Sequence, residues 1–259
     1  AWAWRPGRAA ELARLADRVL FILPFEAEFF RGYGVEGVEV GHPLVERVPA
    51  CDAFLHRRRG EGAATLCLLP GSRKSEIRRH VPVLRDAVAR LATDRPGLAC
   101  VLVTLPGRLG EVRALTADWP APLAVEADPD RRFEAYAGAD VALAASGTVG
   151  LELALARLPT VVLYRTSPLT AALARRLIRV PHVSLLNLIA GREVVPELLQ
   201  ERCRGDTLAA AAARLLDDAD AWRAQVRALD AIARALGAED EPPSRRAAAA
   251  VAALLDTRN

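Results

Sequence analysis

An α/β fold, a parallel sheet with helices on both faces, is predicted by three observations on the 259-residue sequence. Short apolar runs recur, each bounded by Gly, Pro or polar turn residues. Stretches of helical spacing lie between most of them, which is the pattern of β-α-β units. With 52% hydrophobic and 26% charged residues, the chain can bury a substantial core.

Strands are expected at Val19 to Pro24, Val35 to Val40, Thr65 to Leu69, Ala99 to Leu105, Leu123 to Glu126, Val141 to Ala145 and Thr160 to Tyr164. Helices are expected at Ala9 to Ala16, Pro82 to Ala92, Gly110 to Asp118, Arg131 to Ala137, Val149 to Ala156 and Leu169 to Ile178. The Ala/Arg-rich tail from Thr207 to Leu236 reads as a surface helix pair. A hinge is placed at Gly41 to Gly62, where periodicity is weak, and a second break at Gly237 to Arg246 precedes a short final helix.

Composition excludes several classes. The net charge of +3 is carried by arginine, Lys74 being the only lysine, and the charges are interspersed. Without a basic block interleaved with aromatics, nucleic acid is not an expected partner. The four cysteines form no C-x-x-C pair, and His42, His56, His80 and His182 share no ligand spacing, so no metal site is expected. No apolar run reaches the length of a membrane span. The sequence contains no methionine and begins at Ala1 inside what reads as a strand end running into a helix, so a fragment of a longer protein is expected.

In a parallel sheet ligands bind beyond the carboxyl ends of the strands, and two loops there could carry chemistry. In "LCLLPGSRKSEIRRH" a strand meets Gly71, Ser72 and Arg73 at a helix start. Glycine permits close backbone approach, unpaired N–H groups attract anions, and a guanidinium suits a phosphate. The spacing fits neither a Walker A loop nor a G-x-G-x-x-G fingerprint; a plain Pro-Gly turn before a solvated basic helix is the alternative.

The second loop, "DVALAASGTVGLELALARLPTVVLY", sets Ser146, Gly147 and Thr148 ahead of Glu152. Ser146 lacks the flanking glycines of a serine-hydrolase elbow. Neither Ser146 nor Thr148 has an acid three residues on, so Glu152 does not close a capping box. Apart from general attraction to the helix dipole, a ligand contact remains. Thr148 and Glu152 share a helix face, which sets the carboxylate one turn below a phosphate-cradling loop, where it can accept both hydroxyls of a ribose. A third stretch, "VPHVSLLNLIAGREVVPELLQ", holds Asn187 in an apolar run and a turn at Gly191, Arg192 and Glu193 before an expected helix. Asn187 reads equally as a buried amide satisfied by backbone.

Together "LLPGSR", "AASGTVGLE", "VVLYR" and "VSLLNLIAGREVVPELLQ", with "WAWR", "LPFEAEFF" and "GHPLVE" upstream, resemble the second half of the lipid-A-disaccharide synthase family of GT-B glycosyltransferases. The resemblance implies a GT-B type, Rossmann-like fold, with residues 1–45 ending an N-terminal acceptor domain, 46–236 binding a UDP-sugar and 237–259 forming a linker and C-terminal helix. It implies transfer of a diacylglucosamine unit from UDP-2,3-diacylglucosamine to 2,3-diacylglucosamine 1-phosphate, releasing UDP, with no cofactor.

The resemblance places Gly71, Ser72 and Arg73 at the diphosphate, Ser146, Gly147 and Thr148 at a helix-start phosphate contact, and Glu152 at the ribose. Asn187, Arg192 and Glu193 match a further donor-side motif. The catalytic base is expected in an N-terminal half outside this chain. The acyl chains imply peripheral contact with inner-membrane lipid from the cytoplasmic side, and "LTAALARRLIRV", Leu169 to Val180, has residues compatible with such an interface, a helix packed on the sheet with exposed arginines being the favoured alternative. A homodimer is left open. Other UDP-sugar transferases or epimerases, and a non-catalytic nucleotide-binding module, are the rival readings.

Overall fold

The computed structural model describes residues 7–49, 54, 62–167, 170, 171 and 181–256. The "WAWR" stretch, nearly all of the Leu169 to Val180 stretch with its expected helix, and half of the proposed hinge lie outside these residues.

Six parallel strands form the main sheet: β3 (Thr65–Leu69), β4 (Ala99–Val103), β5 (Leu123–Glu126), β6 (Val141–Ala145), β7 (Thr160–Tyr164) and β8 (Glu197–Leu199), in spatial order β5-β4-β3-β6-β7-β8. The chain enters at β3, steps outward through β4 and β5, then returns to place β6 on the other side of β3. Side chains leave a strand alternately to its two faces, and both faces are dry. Leu66 and Leu68 pack on one side, Cys67 and Leu69 on the other.

The first face is covered by α4 (Lys74–Asp94), α5 (Leu109–Leu115) and α9 (Gly205–Asp217), through Ile77, Leu84, Val112, Leu208 and Ala212. The second is covered by α6 (Arg132–Gly138), α7 (Val149–Leu155), α8 (Leu185–Ala190) and α10 (Ala219–Ala235). The doubly covered parallel sheet is as expected. The tail forms the expected helix pair, although Leu208, Leu229 and Ile232 bury its inner faces in the core.

Two expectations need correction. A helix was expected to start at Pro82, yet α4 is one continuous 21-residue helix with Pro82 inside it. Its true start follows Arg73, where Glu76 caps it. The segment after Gly191 was expected to be helical, but Glu197–Leu199 is the edge strand β8, paired in parallel with β7. Pro196 disfavours the helical conformation for Val195, and its carbonyl accepts the Val162 N–H at 2.9 Å.

A second, two-stranded parallel sheet joins β1 (Val19–Phe21) to β2 (Gly37–Glu39), with α1 (Gly7–Leu15) and α2 (Glu26–Arg31) beside it. The Phe21 and Phe30 rings stack there at 5.3 Å. The chain passes through α3 (Leu44–Arg47) toward the large sheet and returns at its end through α11 (Pro243–Asp256). Where the passages meet, His42 donates its N–H to Leu236 O at 2.9 Å and Arg246 Nη2 donates to Glu39 O at 2.7 Å. Among the described residues no helix is long and apolar enough to cross a membrane.

Candidate functional site

The chain reverses its direction of travel between β3 and β6, so the loops after these two strands diverge. In doubly wound sheets the ligand crevice opens at such a switch point. Here it has a volume of about 360 Å³, within the range of small-molecule sites. Gly71, Ser72 and Arg73 form one wall, Ser146, Gly147 and Thr148 another, and Glu152, Arg132 and Tyr136 line the interior. A larger concavity of about 650 Å³ lies at the opposite ends of the strands, around Ala64, Leu98 and Asp140. The loops leading from strand to helix do not reach it.

The first loop differs from expectation in one respect. Two of its amides are not open to an anion, because Glu76 Oε2 accepts the N–H groups of Ser72 and Arg73, both at 3.1 Å. An acid at the third helical position reaching back to the cap is the reciprocal half of a capping box. Gly71 makes room for it: φ is +106°, and a Cβ there would stand 2.6 Å from Glu76 Oε2. The Arg73 guanidinium bonds Glu76 Oε1 at 2.7 Å while remaining largely exposed. The Arg73 side chain is thus free to project from this loop toward an anion. Arg108 braces the loop, its Nε 3.4 Å from Ser72 O.

The second loop keeps its donors. Ser146 N–H is spent on Leu163 O at 3.0 Å, but among the described residues the N–H groups of Gly147 and Thr148 meet no acceptor. Thr148 caps the helix by position without a side-chain bond. One turn further, Glu152 is mostly buried. Its Oε2 accepts the Tyr136 hydroxyl at 3.0 Å and its Oε1 pairs with Arg132 Nη2 at 3.2 Å. Burial, reinforced by the Glu152 charge, raises the Tyr136 pKa well above its ordinary value, so the phenol stays protonated and donates.

Asn187, Arg192 and Glu193 do not line the crevice. Asn187 is fully buried and uses its whole hydrogen-bonding capacity internally. Its Nδ2 donates to Val195 O (2.9 Å) and Glu197 Oε1 (2.8 Å), and its Oδ1 accepts Val194 N–H (2.8 Å) and Val195 N–H (3.0 Å). The amide ties α8 to β8, as the satisfied-amide alternative describes. Arg192 and Glu193 are exposed on the turn beyond it.

Sequence reasoning missed Glu76, Arg132, Tyr136 and His80. His80 is completely buried, with Nδ1 2.7 Å from Pro70 O and Nε2 accepting Arg165 N–H at 2.9 Å. It thereby fastens the end of β3 to the end of β7. Its available signal was a polar residue on the apolar stripe of α4. Burial holds its pKa below the usual histidine value, and the acceptor role of Nε2 assigns the proton to Nδ1.

A family model described as lipid-A-disaccharide synthetase matches residues 1–251. The chain belongs to this family. It is 44% identical to the lipid-A-disaccharide synthase of Rhodospirillum centenum across 99% of this chain and 65% of that protein. It is 40% identical to that of Gluconobacter oxydans, across 98% and 62%. The chain thus spans just under two thirds of the length of these lipid-A-disaccharide synthases.

Among solved structures it is similar to S. aureus MnaA in a co-structure with UDP, with TM-score 0.60, 15% identity, and 95% of this chain and 61% of that one covered. Acinetobacter baumannii MurG gives TM-score 0.53, 17% identity, and 88% and 61% covered. Likenesses at such identities concern the fold, which is the expected GT-B type, Rossmann-like arrangement. Membership of the lipid-A-disaccharide synthase family, rather than fold, separates the chain from the rival readings.

Proposed function

We propose that this chain supplies the donor side of a lipid-A-disaccharide synthase, holding the UDP of UDP-2,3-diacylglucosamine in the crevice between the loops after β3 and β6. The observation that carries this reading is the single crevice uniting a projecting arginine, unpaired amides and a carboxylate one helical turn below them. The diphosphate lies between the Arg73 guanidinium and the N–H groups of Gly147 and Thr148, and the ribose hydroxyls reach Glu152.

Glycosyl transfer leaves negative charge on the departing diphosphate. A fixed guanidinium and oriented amides aimed at that charge lower the barrier, each such donor by roughly 3 to 4 kcal/mol. The sugar passes to 2,3-diacylglucosamine 1-phosphate, giving the lipid A disaccharide. Inversion requires a base for the acceptor hydroxyl, which this reading assigns to sequence preceding the described crevice in the longer relatives. Residues 1–45 then close an acceptor domain, 46–236 bind the donor, and 237–259 cross back. Both substrates are acylated, so the protein works at the inner face of the cytoplasmic membrane.

Titration calorimetry of the 259-residue chain with UDP tests the reading. Binding is expected, and Arg73→Ala should weaken it by about tenfold or more, as loss of a charge-assisted contact does. Absence of UDP binding contradicts the donor-site assignment. Disaccharide formation by this chain alone contradicts the assignment of the base.

A further inference from the structure

Glu152 is held more firmly than a ligand contact requires. Each carboxylate oxygen has its own partner, and both partners come from α6, four residues apart on one helix face. The Tyr136 ring is 1% exposed and packs edge-on against Phe133 at 5.8 Å, so its hydroxyl has little freedom. The Arg132 guanidinium lies over the Phe133 ring at 4.7 Å, and its buried Nε has no hydrogen-bond partner. An orphaned buried donor is a cost, so the arginine's place is not explained by its own hydrogen bonding. The ion pair with Glu152 explains it.

From this arrangement we infer that Tyr136 and Arg132 are positioning residues that fix the Glu152 carboxylate and give the crevice its preference for ribose over deoxyribose. The inference rests on the donor-site reading above. A carboxylate has about four lone-pair sites. Tyr136 and Arg132 occupy one on each oxygen, which leaves one on each for a vicinal pair of hydroxyls in a set orientation. A site committed in this way discriminates against a nucleotide lacking one hydroxyl, because a desolvated acceptor is then left unpaired. Without the clamp the carboxylate can turn away and lose less.

The experiment compares the affinities of UDP and 2′-deoxy-UDP by calorimetry for the unaltered chain, Tyr136→Phe, Arg132→Met, Glu152→Gln and the Tyr136→Phe/Glu152→Gln pair, with a thermal melt of each. The unaltered chain should favour UDP. Tyr136→Phe keeps the ring and its packing, and should cut that preference about three- to tenfold while leaving 2′-deoxy-UDP affinity within about twofold. Arg132→Met should act in the same direction. If Tyr136 acts through Glu152, the double variant will match Glu152→Gln alone.

Tyr136→Phe retaining the full preference, or weakening both nucleotides alike, overturns the inference while the donor-site reading stands. Equal affinity of the unaltered chain for the two nucleotides overturns it as well. No binding of UDP by the unaltered chain overturns both.

Discussion

Replacing Asn187 with alanine separates a ligand contact from an internal brace. The side chain makes four hydrogen bonds. Glu197 Oε1 would keep a partner, since it also accepts Ser184 N–H at 3.0 Å. Three backbone groups, Val194 N–H, Val195 N–H and Val195 O, would be left without theirs. At about 1 kcal/mol or somewhat more for each orphaned group, the loss is about 3 to 4 kcal/mol. The assay is urea unfolding followed by far-UV circular dichroism, with the midpoint expected to fall at unchanged slope. In buffer well below the transition, UDP affinity should stay within about twofold. A loss under about 1 kcal/mol, or a collapse of UDP affinity at full stability, would refute the reasoning and return Asn187 to the ligand.

Two further outcomes follow from the same geometry. Gly71→Ala sets a Cβ against the Glu76 carboxylate in a left-handed backbone conformation. It should destabilise the chain by about 1 to 3 kcal/mol, seen as a lower thermal midpoint, and no change in midpoint would count against the Glu76 cap. His80 has its folded pKa lowered by burial, below the ordinary value near 6.5. The neutral form is the one the fold prefers, so this contribution is complete above about pH 6.5 and is lost as pH falls through that value toward the lower folded pKa. Melts from pH 8 to pH 5 should show a decline that is shallower in His80→Gln, and parallel curves for the two proteins would contradict the assignment.

The layered fold was legible because apolar runs and helical stretches report burial directly, and the strands from Thr65 to Tyr164 fall where those runs lie. The rule that ligands bind beyond the carboxyl ends of parallel strands likewise points to the loops at Gly71 and Ser146. What stayed hidden depends on who partners whom. Nothing local distinguishes Glu76 as a cap from Glu76 as a surface acid, and it occupies the Ser72 and Arg73 amides, which the sequence offers to a phosphate. Tyr136 and Arg132 reach Glu152 only because α6 and α7 pack on the same face of the sheet, a contact spanning 16 residues in the Tyr136 case. Asn187 looked bifunctional because a lone amide in an apolar run fits a brace or a ligand contact equally well. Edge strand β8 is three residues long, too short for periodicity to reveal.

A crystal structure of this chain with UDP would show whether the crevice at the β3/β6 switch point is a UDP site. The ribose hydroxyls are expected within hydrogen-bond distance of Glu152, and the diphosphate between Arg73 and the amides of Gly147 and Thr148. The nucleotide seated in the concavity around Ala64, Leu98 and Asp140, or its diphosphate displacing Glu76 from the Ser72 and Arg73 amides, would contradict that placement.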